Sequence, residues 1–354
     1  MIRKIILLLL VFAASVAAQT PEHVADEALA QWLAQPAVAP DQLLGLSPEE
    51  ICQELPKVFQ LGAPLPGTKV NMDNRLRHET DVEHEVLFTY PASSPGERYD
   101  IIEVIVTEQD GEWIAGPVAY RAGLNEDPVR AWMQTPAAAL LFSIFSLLVL
   151  WLLFSPGKNF LKTLLGQAGA VIKMHKRLVI ISMVVLYSAF AFGAFLGTNL
   201  PAQCVDAVMG ILQQALTQVG ATEAYGSGNI PRAATLTFYQ NFGMVTLSVL
   251  FPLAMLFGVP GYLFTLVSFT AQGIPFGFIS GAGPLDILTM GVVLVLELTA
   301  YFLITAGGGI LLATVFKHGF RAFPLGFRKL LALLPVALIL LLVGAWFEAT
   351  MLLL

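Results

Sequence analysis

Apolar residues gather into six long runs along this chain: 136–154, 178–198, 235–258, 262–280, 287–316 and 330–354. A hydrocarbon layer about 30 Å thick needs roughly 20 such residues in a helix, so six transmembrane helices are predicted. The fourth run is interrupted by Gln272, Gly273 and Pro275. The fifth is long enough to tilt, or to bend near Gly307, Gly308 and Gly309. Two connecting segments show helical periodicity with one apolar face. One spans 160–172, with Lys158, Lys162 and Lys173 off that face, and reads as a basic helix on the inner leaflet. The other spans 201–219 after a capping Asn199 and ends at Gly220.

Ahead of the first run the pattern changes. Thr20-Pro21 predicts a helix to about Gln35, and Ser47-Pro48-Glu49-Glu50 a second helix start, with a cap, a first-turn proline and acids at the positive end. Segments 83–90, 99–108 and 112–121 are rich in β-branched and aromatic residues and predict three strands, with Asp110-Gly111 as the last turn. Helices followed by an antiparallel meander make a small α+β domain with its sheet wrapped on a helix. The first 18 residues are different again. Arg3-Lys4, an apolar stretch at 5–12 and Val16-Ala17-Ala18 have the order of a cleavable signal peptide.

Composition agrees with the apolar runs. Of 354 residues, 56 % are apolar and 12 % charged, against about 25 % charged in a soluble domain. The mean hydropathy is +0.73. These figures exclude a water-soluble enzyme, and a net charge of −6 without a basic tract excludes a nucleic-acid binder. The charge is uneven. Residues 19–135 hold 20 acids and 7 bases, whereas 136–354 hold 5 acids and 10 bases. If the acidic segment is exported, Lys158, Lys162, Lys173, Lys176, Arg177, Lys317, Arg321, Arg328 and Lys329 all fall on the inner side and only Arg232 outside, as the positive-inside rule requires. The expected organisation is a membrane all-α bundle of six transmembrane helices, preceded by a signal peptide and a small exported α+β domain. Its parts are a signal peptide at 1–18, the exported acidic domain at 19–130, a first transmembrane helix and basic inner-face helix at 131–178, and a five-helix membrane domain at 179–354. The setting is the cytoplasmic membrane, with 19–135 and the C-terminus outside, membrane lipids as surroundings and envelope proteins as expected partners.

Chemistry-bearing patterns are few. His78, Glu79, Asp81, Glu83, His84 and Glu85 are close in sequence but lack zinc-type spacing. A strand would place His84 with Val82 and Val86 and leave Glu83 and Glu85 on a solvated face, so no metal site is expected. Cys52 and Cys204 would both be exported, and their pairing is left open. There is no HExxH, GxSxG or phosphate-binding glycine loop. No catalytic residue and no cofactor is expected. Two ionisable residues lie within the spans, Glu297 near mid-depth and Glu348 in the outer third of the last. No basic residue lies there to pair with them, so they are either protonated or facing water. Gln240, Asn241 and Gln272 are candidate partners. Gly193 and Gly197 form a GxxxG, and Gly273, Gly277 and Gly281 form a ladder, both spacings that let helices approach closely.

The second half, from about 186, resembles the stage II sporulation protein M family of integral membrane proteins. Phe195-Leu196-Gly197 closes a helix before a long outer loop; Phe238-Tyr239-Gln240-Asn241 opens the next span, ahead of Phe257-Gly258-Val259-Pro260; Leu296-Glu297-Leu298-Thr299-Ala300 precedes Ala306-Gly307-Gly308-Gly309; and Ala345-Trp346-Phe347-Glu348-Ala349 closes the last helix. The resemblance makes Asn241, Glu297 and Glu348 the family-type polar positions. It departs at Val293-Leu294, where the family often has His-Gly, and at Gln272-Gly273, where Asn-Gly is expected. It implies a membrane scaffold. The leading expectation is therefore a non-enzymatic envelope scaffold that recruits partners. The alternative is a proton- or cation-coupled transporter using Glu297 and Glu348, with helices broken at Gly273-Ile274-Pro275 and at Gly307–Gly309.

Overall fold

Thr20 starts the first helix as its position before Pro21 demands. In a computed structural model of the chain, α1 (Pro21–Leu33) has Thr20 at its N-cap, accepting from the His23 N–H at 3.4 Å, with the proline in its first turn. The structure describes residues 20–35, 47, 50, 52, 64, 67–80, 84–93, 101–109, 111–121, 128–201, 204, 205, 208, 209, 212, 221–278 and 283–353. The expected signal peptide, Gly281 and most of the expected 201–219 helix lie outside them. The described residues divide into a strand-rich unit within 1–126 and 206–214 and a helical unit within 127–205 and 215–354.

In the strand-rich unit, β1 (Lys69–Val70), β2 (Leu76–Glu79), β3 (Glu85–Ser93), β4 (Ile101–Gln109) and β5 (Glu112–Arg121) form an antiparallel sheet in the order β1-β3-β4-β5. β2 pairs with β3 along the same edge as β1, at Leu76↔Thr89 and Lys69↔Ser93 respectively. Alternation places Val86, Phe88 and Tyr90, then Ile102, Val104 and Val106, then Val118 and Tyr120 on one face. Val24, Ala25, Leu29 and Trp32 of α1 cover that face. Gly111 takes φ +84° in the last turn, a left-handed conformation that glycine adopts at no steric cost. Polar groups are joined across elements. Asp26 accepts from the Tyr90 hydroxyl at 2.8 Å and from Arg75 at 2.7 Å, while Arg77 binds Glu22 at 2.8 Å and Glu79 at 2.9 Å. Burial, then the Asp26 carboxylate, holds the Tyr90 phenol above its ordinary value. Ser47 and Glu50 form a reciprocal capping pair, with Glu50 accepting from the Ser47 N–H at 2.8 Å and Ser47 from the Glu50 N–H at 3.3 Å. One expectation is corrected. His84 is in a turn at φ 64°, not on a strand, and its Nδ1 lies 3.0 Å from Glu108 Oε2. The Glu108 N–H donates to the His84 carbonyl at 2.8 Å, extending the β3–β4 ladder. Cys52 and Cys204 are each disulfide-bonded.

The helical unit contains α2 (Pro128–Met133), α3 (Pro136–Phe154), α4 (Phe160–Met174), α5 (Lys176–Thr198), α6 (Ala221–Gly226), α7 (Ile230–Phe238), a π-helix (Tyr239–Leu250), α8 (Phe251–Met255), α9 (Val259–Gly273), α10 (Pro284–His318), α11 (Phe323–Leu331) and α12 (Leu334–Leu353). Thr135 and Asn159 cap α3 and α4 with their side chains. Among the described residues, five stretches are long and apolar enough to cross a membrane: Pro136–Phe154, Lys176–Thr198, Ile230–Met255, Ile287–His318 and Phe320–Leu353. Their outer surfaces are apolar, with Leu147 66 % and Ile181 62 % exposed, the inverse of a soluble helix. The basic segment expected on the inner leaflet is α4, of which Leu161 and Ala168 are buried.

The fourth predicted run is shorter than expected. It is the 15-residue α9, about 22 Å of helix, continued by a 3₁₀ turn at Ile274–Phe278 that contains Pro275. α9 packs along α5 in parallel at a fixed offset of 80 residues. Ser182 is hydrogen-bonded to Tyr262 at one end. Further along, a Cβ on Gly193 would lie 3.2 Å from the Gly273 Cα, and one on Gly197 3.2 Å from the Gly277 Cα. The two glycine motifs noted separately in the sequence are thus the two sides of one helix contact. The expected break at Gly307–Gly309 is absent, and α10 is one continuous 35-residue helix. These glycines serve close approach. A Cβ on Gly308 would lie 2.8 Å from the Gly258 Cα and 2.9 Å from the Ala254 carbonyl oxygen, and one on Gly309 3.0 Å from the Tyr262 hydroxyl. Tertiary packing outweighs the roughly 1 kcal/mol per residue by which glycine disfavours a helix.

Candidate functional site

Glu297 and Glu348 stand on α10 and α12, which pack along one another. Gly344 lies at their contact, where a Cβ would be in ordinary van der Waals contact 3.7 Å from Glu297 Cγ. Glu348 follows Gly344 by four residues and so lies on the same stripe of α12. Both glutamates are half-buried, and each carboxyl is within electrostatic reach of the other. Neither makes an ion pair with Lys or Arg among the described residues.

The groups around them are neutral. The Asn241 side-chain amide donates to Glu297 Oε1. Tyr225, on α6, donates its hydroxyl to Glu348 and lies 2.8 Å from Thr237 Oγ1. Burial first, and the Glu348 carboxyl second, hold the Tyr225 phenol above its ordinary value. Tyr301 follows Glu297 by one helical turn and is buried, with its ring 5.4 Å from Phe269.

Asn241 is presented by an unusual backbone. The π-helix runs for 12 residues from Tyr239 to Leu250, whereas such helices are mostly single-turn bulges, often at functional sites. Thr246 and Ser248 return their hydroxyls to the carbonyls of Asn241 and Gly243, five residues back, at 2.8 and 2.9 Å. Gln240, beside Asn241, has a buried Oε1 with no hydrogen-bond partner among the described residues.

The structure therefore brings Glu297, Glu348 and Asn241 into one cluster and leaves Gln272 out. Gln272 is exposed on α9, next to the Gly273 that faces α5. Sequence reasoning missed Tyr225, Tyr301 and Gly344. The last two had a readable signal, one helical turn from a glutamate on its own face. Tyr225 had none, since it lies in a connecting segment far from both glutamates in sequence. The chain matches no family model, no curated protein and no solved structure. Chemically, two carboxyls, an amide and a phenol, with no Lys or Arg paired to them among the described residues, can share a proton or supply oxygen ligands to a small cation.

Proposed function

We propose that the protein is a six-span cytoplasmic-membrane protein whose bundle binds a proton or small cation at Glu297 and Glu348 and couples that binding to transport. The observation that carries this reading is the approach of the two carboxyls on facing helices, with neutral hydrogen-bond donors and, among the described residues, no Lys or Arg paired with them. As mere helix glue the arrangement is poor, because burying two acids side by side desolvates polar groups, a cost that apolar side chains of equal size do not carry. The paired carboxyls support the transporter reading over the scaffold reading that the sequence alone favoured. The resemblance to the stage II sporulation protein M family supports the same site, since Asn241, Glu297 and Glu348 are the polar positions that carry it.

The sixth crossing in this proposal is α9 with its 3₁₀ extension, supported by its parallel run along α5. The basic loops support one sidedness for the bundle, with residues 19–135 and the C-terminus outside. The test is flux in proteoliposomes under an imposed proton or sodium gradient, for wild type, Glu297→Gln and Glu348→Gln. Both variants should fall to background while their thermal unfolding in detergent stays at or above wild type. No flux in wild type, or equal flux in the variants, counts against the proposal.

The scaffold reading remains second, favoured by one observation. The sheet face turned away from α1 exposes Leu76, Ile105 and Ile114, an apolar patch of the kind that partners cover. Ile105→Asp with Ile114→Asp should release an envelope partner that co-purifies from native membranes with wild type. Identical recovery of proteins with both forms speaks against this role.

A further inference from the structure

The end of the bundle opposite α6 concentrates positive charge, carried by two acid-free segments of the chain. Between 136 and 205, and again between 298 and 347, the chain contains no Asp or Glu. The same segments carry Lys158, Lys162, Lys173, Lys176, Arg177, Lys317, Arg321, Arg328 and Lys329. The structure joins the two basic regions through a specific contact. Lys329 Nζ, on α11, lies 3.1 Å from His175 Nε2 at the start of α5 and 3.2 Å from Thr314 Oγ1 on α10. Thr314 gives its own proton to the Ile310 carbonyl at 2.7 Å, so it meets the ammonium as an acceptor. Burial, then the charges of Lys329 and Lys317, hold His175 below its ordinary value and keep Nε2 free to accept. Lys329 is half-buried, carries three donors and has two neutral acceptors. Its charge has no counter-ion among the described residues.

The helices α10 and α11 that hold this cation, and the turn between them, also carry exposed apolar side chains. Phe316 and Phe320 are 82 % and 72 % exposed, and Leu325 is half exposed. The rings of Phe320, Phe323 and Phe327 follow one another at 6.0 and 6.3 Å, with Phe257 6.1 Å from Phe320. A soluble anion uses only the cations, whereas a phospholipid uses the cations and the rings together. We infer that Lys329, Lys317 and His175 seat the phosphate of an anionic phospholipid headgroup, with its acyl chains on the Phe316 and Phe320 side of α11.

The test uses the full-length protein in detergent, titrated with dioleoylphosphatidylglycerol, dioleoylphosphatidylcholine or inorganic phosphate, with retained adducts read by native mass spectrometry. Phosphatidylglycerol should be retained over phosphatidylcholine. Each surface cation near an anionic lipid is worth about a fivefold change in binding, so Lys317→Gln with Lys329→Gln should cut retention roughly twentyfold. Lys158→Gln with Lys162→Gln removes equal charge from the same end, with Lys162 about 20 Å along α4 from His175, and should change retention by about twofold or less. Lys329→Arg should restore binding, and Lys317→Gln alone, at an exposed position, should lower it about fivefold even if changes at Lys329 disturb folding. Equal retention of phosphatidylcholine overturns the inference. So does an equal loss in the two double variants, which would mean diffuse attraction, or displacement of the lipid by inorganic phosphate, which would mean a free-phosphate site.

Discussion

The strand-rich unit and the helical unit solve the problem of a polar group in opposite ways. In the first, acids meet bases: Asp26 with Arg75, and Glu22 with Arg77. Water reaches these pairs, so each is worth little alone, and the apolar face of the sheet on α1 supplies the stability. In the second, acids meet each other and neutral donors, and the backbone approaches backbone through glycine. Where the solvent is hydrocarbon, apolar surface no longer drives association, and fit takes over. The same side chain, a glutamate, is therefore a surface tether in one region and a candidate working part in the other.

The largest test of that contrast is steric. A Cβ on Gly193 would overlap the Thr270 carbonyl oxygen. Gly193→Val should cost about 3 kcal/mol or more, seen as loss of the thermal transition in detergent. Gly169→Ala on α4, where nothing lies within 4 Å, should instead stabilise by roughly 0.5–1 kcal/mol. If both glycines tolerate a side chain equally, backbone fit is not what holds the bundle. Next in size is Asp26→Ala, which strands the buried Tyr90 hydroxyl and the Arg75 guanidinium together. A loss of about 2 kcal/mol is expected, against about 1 for Tyr90→Phe, read as faster hydrogen exchange in peptides of β3. Equal losses would mean that Arg75 contributes nothing.

The smallest effect is pH-dependent. The helix N-terminal N–H, with Arg77 beside it, holds the Glu22 carboxyl below its ordinary value of 4.5. A lowered carboxyl stabilises the folded state above that ordinary value, and the contribution is lost as pH falls through the lower, folded value. Exchange in α1 peptides should therefore rise below pH 4.5, and Glu22→Gln should flatten the dependence. A profile unchanged by that substitution would remove Glu22 from the account.

Much of this was legible in the sequence where a local rule decides the outcome. Thr20, Ser47, Thr135 and Asn159 mark helix starts because capping is settled within four residues. Segment 112–121 became a strand because alternation and the Gly111 turn agree. Glu297 and Glu348 stood out because no other acid lies in the runs. Other features depend on partners distant in sequence. Gly307–Gly309 looked like a break because local propensity says so, and only Gly258 and Ala254 packed against them reverse it. The π-helix at Tyr239–Leu250 has no local signal, and Gly193 does not reveal that its counterpart is Gly273.

That last pairing has a consequence for how the protein is made. α5 and α9 run side by side in the same direction, so no hairpin can join them, and the chain must travel away and return before they meet. The face of Gly193 and Gly197 therefore waits while 80 further residues are synthesised, on the order of 4–16 seconds at typical translation rates. During that interval α5 lacks the backbone contact that Gly193 and Gly197 make possible.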